Sequence, residues 1–214
     1  MKELTILIGT CDAYLEYLPN CVKLVDRYFE PIVKKVIVGE TITQNYQGCK
    51  FLTPEKKEWG YRILHGLDKI DTEYVFFMLE DYYLSQTLSK EYFSWLLQFM
   101  NRECANKLML STVPDFANYQ YVRTIDNIKQ MRSDSNWLAS IQPSIWKTEH
   151  LRKLMKPEYS PWDFEIIVSD LLKNKEYDHY VIKLDEPIYF NFVRKGGVKS
   201  EGWRQFLNEQ GLEL

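Results

Sequence analysis

Two adjacent carboxylates, Glu80-Asp81, follow directly on the most apolar run of the chain, EYVFFML at Glu73–Leu79. Acids in that position belong at the edge of a buried strand, where like charges repel and lose hydration. A hard divalent cation such as Mg²⁺ or Mn²⁺, bridging a diphosphate, would relieve both costs. A solvated strand end with two exposed acids accounts for the pair equally well. The second candidate group is SPWDFE, Ser160–Glu165. Ser160 and Asp163 have capping-box spacing, so Asp163 reads first as a helix cap that receives the Ser160 amide. The same carboxylate, at a helix N-terminus facing a sheet edge, could work as a general base. Glu165 lies two positions further, about 200° around a helix, so at most one of the two acids faces a given pocket. Arg194-Lys195-Gly196-Gly197 is a late cationic turn that could clamp a diphosphate by charge-assisted hydrogen bonds. Taken alone, a solvated turn is the better reading of it.

The elements that must carry these residues read as an α/β pattern. Leu4–Ile8 is a short apolar strand that empties into Gly9-Thr10-Cys11-Asp12. Leu15, Leu18, Val22, Val25, Tyr28 and Phe29 recur at helical spacing, and Pro31 stops that helix. Val36-Ile37-Val38 is a second strand with Gly39-Glu40 at its exit, and Cys49–Leu52 a weaker third. Thr53-Pro54 has the hydroxyl-then-proline order of a helix start, and Trp59, Ile63 and Leu67 would be its apolar face. After the Glu73–Leu79 strand, Ser89 caps a helix with Phe93, Leu96, Leu97 and Met100, and Leu108–Leu110 is a fifth strand. This β-α-β-β-α-β-α-β order predicts a mostly parallel central sheet flanked by helices.

Residues 112–137 change character, being polar and aromatic with little period, and read as short irregular strands plus an excursion loop. Ile141–Trp146 is another strand, and Thr148 caps a short helix to Met155. Ser160-Pro161 opens the next helix and Tyr180–Leu184 is a further strand. Gly196-Gly197 makes a turn, and a last helix over Ser200–Gln210 is closed by Gly211. No repeat or linker interrupts the chain, so one domain over residues 1–214 is the simplest organisation. Ligands on open α/β sheets bind beyond the carboxyl ends of the strands. Thr10, Asp12, Glu40 and the Glu80-Asp81 pair would gather there.

Composition narrows the chemistry. Of 214 residues, 45% are hydrophobic and 27% charged, an ordinary globular balance, and the net charge of −3 with a pI near 5.7 gives no polyanion footprint. Nucleic acid is therefore a poor partner. No apolar run approaches the roughly 18 residues of a membrane span, and the N-terminus has no signal-peptide core. Cys11, Cys21, Cys49 and Cys104 lack metal-ligand spacing and read as reduced thiols of a cytoplasmic protein. Cys11 has no adjacent base and reads as a packing residue rather than a nucleophile. His65, His150 and His179 have no paired spacing either. No GxSxG, Walker or GxGxxG pattern is present, which argues against α/β-hydrolase, P-loop and dinucleotide chemistry. The 15 Tyr, 11 Phe and 6 Trp suit either an aromatic core or rings that stack on sugars or bases.

Several of these segments, taken in order, carry a family resemblance. They are TCDAY at Thr10–Tyr14, a helix with Trp59, Arg62, Leu64 and Leu67, and the strand end MLEDYYL. They continue with Gln142, Ile145 and Trp146 on one strand, SPWDFE, and the Arg-Lys-Gly-Gly turn followed by Trp203. Over residues 4–203 the chain resembles the GT-A nucleotide-sugar glycosyltransferases, and among them small bacterial enzymes of capsule or lipopolysaccharide assembly.

The resemblance implies a GT-A-like (Rossmann-like) fold, with a nucleotide-sugar half at 1–110 and an acceptor half plus C-terminal helix at 111–214. It implies transfer of a sugar from a nucleotide-diphosphate donor to a hydroxyl of a glycan or glycolipid acceptor, with inversion. Glu80-Asp81 fall where such enzymes place the acidic DxD element for Mn²⁺ or Mg²⁺, and Asp81 matches the closest metal or donor contact. Here Tyr82 occupies the third position, so the element is incomplete. Asp163 matches the catalytic base, with Glu165 as the fallback. Thr10, Asp12 and Glu40 fall where the nucleotide is read, and Arg62 and Arg194 where cations meet the diphosphate. Trp146 and Trp162 would serve the acceptor, together with residues 112–137. A lipid-linked acceptor would be met by peripheral contact with the membrane. Two alternatives stay open. A nucleotidyltransferase would carry a glycine-rich, basic N-terminal loop, of which Gly9–Asp12 is a poor version. A non-catalytic nucleotide-sugar or glycan-binding relative would explain the incomplete acidic element.

Overall fold

The computed structural model describes residues 3–111, 121–125, 127–175, 178–183, 188–194 and 197–214. Strand β1 (Leu4–Gly9) is buried along its whole length. Its Leu4, Ile6 and Ile8 enter one core layer and Leu7 the opposite one. β2 (Lys34–Val38) and β3 (Cys49–Leu52) lie to one side of it and β4 (Tyr74–Leu79) to the other, all parallel. β4 divides its side chains in the same way, Tyr74, Phe76 and Met78 to one layer, Val75 and Phe77 to the other. Strands covered on both faces read as unbroken apolar runs rather than alternations, which is why these were visible in the sequence.

The sheet has nine strands in the order β3-β2-β1-β4-β9-β6-β10-β8-β7. It is completed by β6 (Lys107–Ser111), β7 (Tyr121–Ile125), β8 (Ile128–Met131), β9 (Ser144–Lys147) and β10 (His179–Lys183). Seven of the nine run in one direction, with β8 and β9 reversed. The sheet is thus mainly parallel, as the element order predicts. The reversal of β9 matters for function. It pairs Phe77 with Ser144 and Tyr74 with Lys147, so the segment entering β9 arrives at the carboxyl edge of β4.

Helices α1 (Leu18–Tyr28) and α3 (Lys90–Arg102) cover one face, and α2 (Trp59–Leu67) and α4 (Thr148–Leu154) the other. The second face also receives a continuous helical run: α5 (Pro161–Asp163), a π-helical turn (Phe164–Val168) and α6 (Ser169–Leu172). A terminal helix, α7 (Trp203–Gln210), packs Phe206 and Leu207 into the first layer. Ser89 caps α3 by accepting from the Tyr92 amide at 3.0 Å, and Gly211 closes α7 in the left-handed conformation at φ 63°.

Some boundaries differ from the sequence expectation. α2 begins at Trp59, not at Thr53-Pro54, because its first free amides find partners elsewhere in the fold. Gly60 N–H donates to the Tyr159 carbonyl at 2.9 Å and Tyr61 N–H to Pro157 at 3.0 Å. Thr148 is the first residue of α4 rather than its cap, Lys147 holding the cap position without a side-chain bond. The region beyond Ser111 supplies β7 and β8, while residues 112–120 and 126 lie outside the described residues. Two short ribbons have no clear signal in the sequence: β5 (Tyr82–Leu84) pairs with β11 (Tyr189–Asn191), and β12 (Val193–Arg194) with β13 (Val198–Lys199).

Candidate functional site

The order of β2, β1 and β4 puts the reversal of strand sequence between β1 and β4, the crevice where open α/β sheets bind ligands. A cleft of about 560 Å³ opens at their carboxyl ends, within the usual range for a small-molecule site. Thr10 follows β1, and Glu80-Asp81 follow β4, with the Glu80 amide donating to the Gly9 carbonyl at 3.1 Å. All three line the cleft.

Asn191 joins them through the β5–β11 ribbon. It pairs with Tyr82, and the next amide, that of Phe192, donates to the Asp81 carbonyl at 2.7 Å. Among the described residues, Asp81 Oδ1 and Asn191 Oδ1 are buried oxygens without a hydrogen-bond partner, and Thr10 sits beside the Glu80 carboxyl. Buried acceptors left unmatched are costly, and here two line one cleft. Burial, and then the neighbouring Asp81 charge, pushes the Glu80 carboxyl above the usual carboxylate range. Burial does the same to Asp81. Both effects are those that positive charge entering the cleft would relieve.

Among the described residues that line the cleft, Arg62 is the cation. It is buried in the cleft wall, its Nε donating to the Lys57 carbonyl at 2.9 Å and its Nη1 to the Thr10 carbonyl. Burial lowers its pKa, with Glu40 and then Cys11 and Glu80 acting in the opposite sense. Asp12 and Glu40 do not line the cleft. They tie its rim together instead: the Asp12 amide donates to Glu40 Oε2 at 3.1 Å, and Asp12 accepts from Thr41 and from the Ile42 amide. Hydrogen bonds from Thr41 hold the Asp12 carboxyl below its ordinary range. Arg194 ends β12, and its side chain, with Lys195 and Gly196, lies outside the described residues. Cys11 lines the cleft, but burial and Glu80 push its thiol up, which suits packing and not nucleophilic attack.

The two acids of SPWDFE separate. Asp163 is exposed and completes the capping box, taking the Ser160 amide at 3.0 Å and the Ser160 hydroxyl at 2.6 Å. Those bonds hold its carboxyl below the ordinary range. It does not line the cleft, which corrects the expectation that it faces the sheet edge. Glu165, on the π-helical turn, does line it. Its Oε1 accepts from the Ile141 amide at 2.9 Å and from Ser140 Oγ at 3.1 Å. Ser140 and Ile141 belong to the segment that reversed β9 delivers to this edge. Trp162 borders the cleft and is 55% exposed. Trp146 is 0% exposed, packed among Phe164, His150 and His179 in the core. A core ring touches no acceptor, so that expectation is corrected as well.

The oxygens present fit a hard divalent cation. Mg²⁺ and Mn²⁺ commonly take one or two carboxylates and complete their shell with water and substrate phosphate. Asp81 and Glu80 would supply the carboxylates, with Asn191 and Thr10 beside them. Among the described residues no group of three His, Cys, Asp or Glu side chains converges.

The fold is similar to that of S. aureus TarS 1-349 in complex with UDP-GlcNAc, with a TM-score of 0.64 and 15% identity over 97% of this chain and 65% of that one. It is also similar to the mannosyltransferase PcManGT from Pyrobaculum calidifontis in complex with GDP-Man and Mn²⁺. There the TM-score is 0.61 and the identity 10%, over 91% of this chain and 58% of that one. The fold is GT-A-like. At these identities the likeness is one of fold, and the chain spans less than two-thirds of either structure. No protein-family model matches the sequence, and neither does any curated protein. Among the described residues no helix is long and apolar enough to cross a membrane.

Proposed function

We propose that the chain transfers a sugar from a nucleoside-diphosphate donor to a hydroxyl group of a glycan or glycolipid acceptor. The observation that carries this reading is the content of one cleft: the Glu80-Asp81 edge with the unpartnered oxygens of Asp81 and Asn191, and Glu165 held by one carboxylate oxygen. Donors of the similar structures, UDP-GlcNAc and GDP-Man, set the ligand class to try.

In this reading Glu165 is the general base, in place of Asp163. Oε1 is anchored by two donors, and among the described residues Oε2 receives none, which leaves it for a substrate hydroxyl. Glu165 takes the proton of the acceptor hydroxyl while that oxygen bonds to the anomeric carbon. The bond from that carbon to the diphosphate breaks, and its electron pair leaves on the nucleoside diphosphate. One displacement of this kind inverts the anomeric centre. Asp81 and Glu80 would hold Mn²⁺ or Mg²⁺, which when bound neutralises charge on the departing diphosphate. Arg62, in the cleft wall, adds fixed positive potential. Trp162 offers an aromatic face to a sugar ring. Thr10 and the ribbon residue Asn191 border the donor, and residues 1–110 supply most of the donor half.

Release of UDP or GDP from UDP-GlcNAc or GDP-mannose in the presence of Mn²⁺ tests the proposal. Turnover that Glu165→Gln abolishes supports it, and release unaffected by that change removes Glu165 from the reaction.

A further inference from the structure

Lys107 opens β6 and is 0% exposed. A lysine is rarely buried unless its charge or its donors are matched. Its Nζ donates to the Ser140 carbonyl at 2.7 Å and to the Leu138 carbonyl at 3.1 Å, and it lies 4.6 Å from the centre of the Trp146 ring. The two peptide units it grips have their amides turned to the helix that carries Glu165. The Ser140–Ile141 peptide accepts from Lys107 at its carbonyl and donates to Glu165 Oε1 at its amide, 2.9 Å away. The Leu138–Ala139 peptide accepts from Lys107 in the same way and donates to Ser169 Oγ at 3.0 Å. Glu165 and Ser169 are four residues apart on one helical run.

A histidine pair supports the same carbonyl. His179 Nδ1 is 3.2 Å from the Leu138 oxygen, so it carries the proton there, and its Nε2 is left as the acceptor for His150 Nε2 at 3.0 Å. Burial lowers His179 well below the ordinary range and brings His150 down to about 4, so both rings are neutral near pH 7. Burial also brings Lys107 down to about 7, with Glu165 acting in the opposite sense. An amine and an ammonium both have two N–H donors for the two carbonyls, so the grip persists through that titration.

We propose that Lys107 is a positioning residue for Glu165, acting through the Ser140–Ile141 peptide to fix the carboxylate in the cleft. The grip itself is independent of the reaction, whereas its catalytic meaning rests on the reading of Glu165 as the base. Two measurements keep these apart. In the first, amide hydrogen exchange is followed in wild type, Lys107→Met and Lys107→Arg. Ala139 and Ile141 should exchange about tenfold faster in Lys107→Met, while β1 and β4 stay protected and Lys107→Arg stays close to wild type. Unchanged exchange at Ile141 would overturn the proposal. Lys107→Gln, too short to reach both carbonyls, repeats the test if the Met variant does not fold.

In the second, release of UDP or GDP from UDP-GlcNAc and GDP-mannose with Mn²⁺ is compared in Lys107→Met, Glu165→Gln and the double variant. Lys107→Met should lower kcat with little change in donor KM, and the double variant should be no slower than Glu165→Gln alone. Losses that multiply would overturn the link between the two residues. Faster exchange together with no turnover by the wild type would uphold the grip and remove Glu165 as the base.

Discussion

The amide of Gly60 donates to the carbonyl of Tyr159 at 2.9 Å, joining the first turn of α2 to the segment that leads into α5. Two walls of the cleft meet at that bond, since α2 carries Trp59 and Arg62, and the run beginning with α5 carries Trp162 and Glu165. The approach is so close that a Cβ on Gly60 would lie 2.0 Å from the Lys156 carbonyl oxygen. Backbone cannot yield there as a flexible side chain would. Gly60→Ala should therefore cost about 1–3 kcal/mol, read by urea unfolding, and weaken donor binding as the walls part.

Glu165→Gln should lower turnover by about 10²–10⁴-fold with donor affinity little changed, since a general base acts on the acceptor proton and not on donor binding. Asp163→Asn should keep near-normal turnover, because its carboxylate is committed to Ser160. Ser160→Ala should cost about 1 kcal/mol of stability through loss of the cap. Steady-state kinetics and thermal melts on the three variants check the assignment.

The Glu80-Asp81 pair should contribute less to the stability of the metal-free protein as pH rises. Glu80 and Asp81 are both raised above the ordinary carboxylate range by burial, and Glu80 further by its neighbour. A carboxyl raised in the folded state holds its proton more tightly there than in the unfolded chain. Its contribution is therefore full below the unfolded value and lost as pH climbs from the ordinary carboxylate range through the raised one. From about pH 4 to about pH 8 the melting temperature of wild type should fall relative to that of Asp81→Asn, since buried Lys107 and the His150–His179 pair act in the opposite sense equally in both.

Trp162 and Trp146 should behave oppositely. Trp162, half-exposed at the cleft, should report ligand entry as a change in fluorescence that Trp162→Phe removes without loss of stability. Trp146→Ala should cost about 3–5 kcal/mol, the range for emptying a buried aromatic position, and Trp146→Phe should leave the ligand signal intact.

Much of this was legible in the sequence because it rests on local signals. Apolar runs marked β1, β2 and β4, the carboxyl-end rule brought Thr10 and Glu80-Asp81 to one edge, and Ser89, Ser160 and Gly211 mark helix ends. What was hidden depends on long-range pairing. Asn191 reaches the cleft through two three-residue strands with no periodicity of their own. Lys107 stands at a strand start like any surface lysine, and only the reversal of β9 puts carbonyls over it. The spacing of Asp163 and Glu165 showed that at most one could face the cleft. Which one does depends on how the helix winds through its π turn. Thr53-Pro54 had the form of a helix start, yet α2 begins where carbonyls from residues 157 and 159 meet its amides.

The most direct test is a thermal-shift titration of wild type and Asp81→Asn with UDP-GlcNAc and GDP-mannose, each with Mn²⁺ or EDTA. A ligand at 100 times its dissociation constant stabilises the native state by about 2.7 kcal/mol, a clear upward shift. That shift is expected in wild type for one nucleotide family, dependent on Mn²⁺ and lost in Asp81→Asn. No shift with either donor, or one that Asp81→Asn leaves intact, would contradict the proposed function.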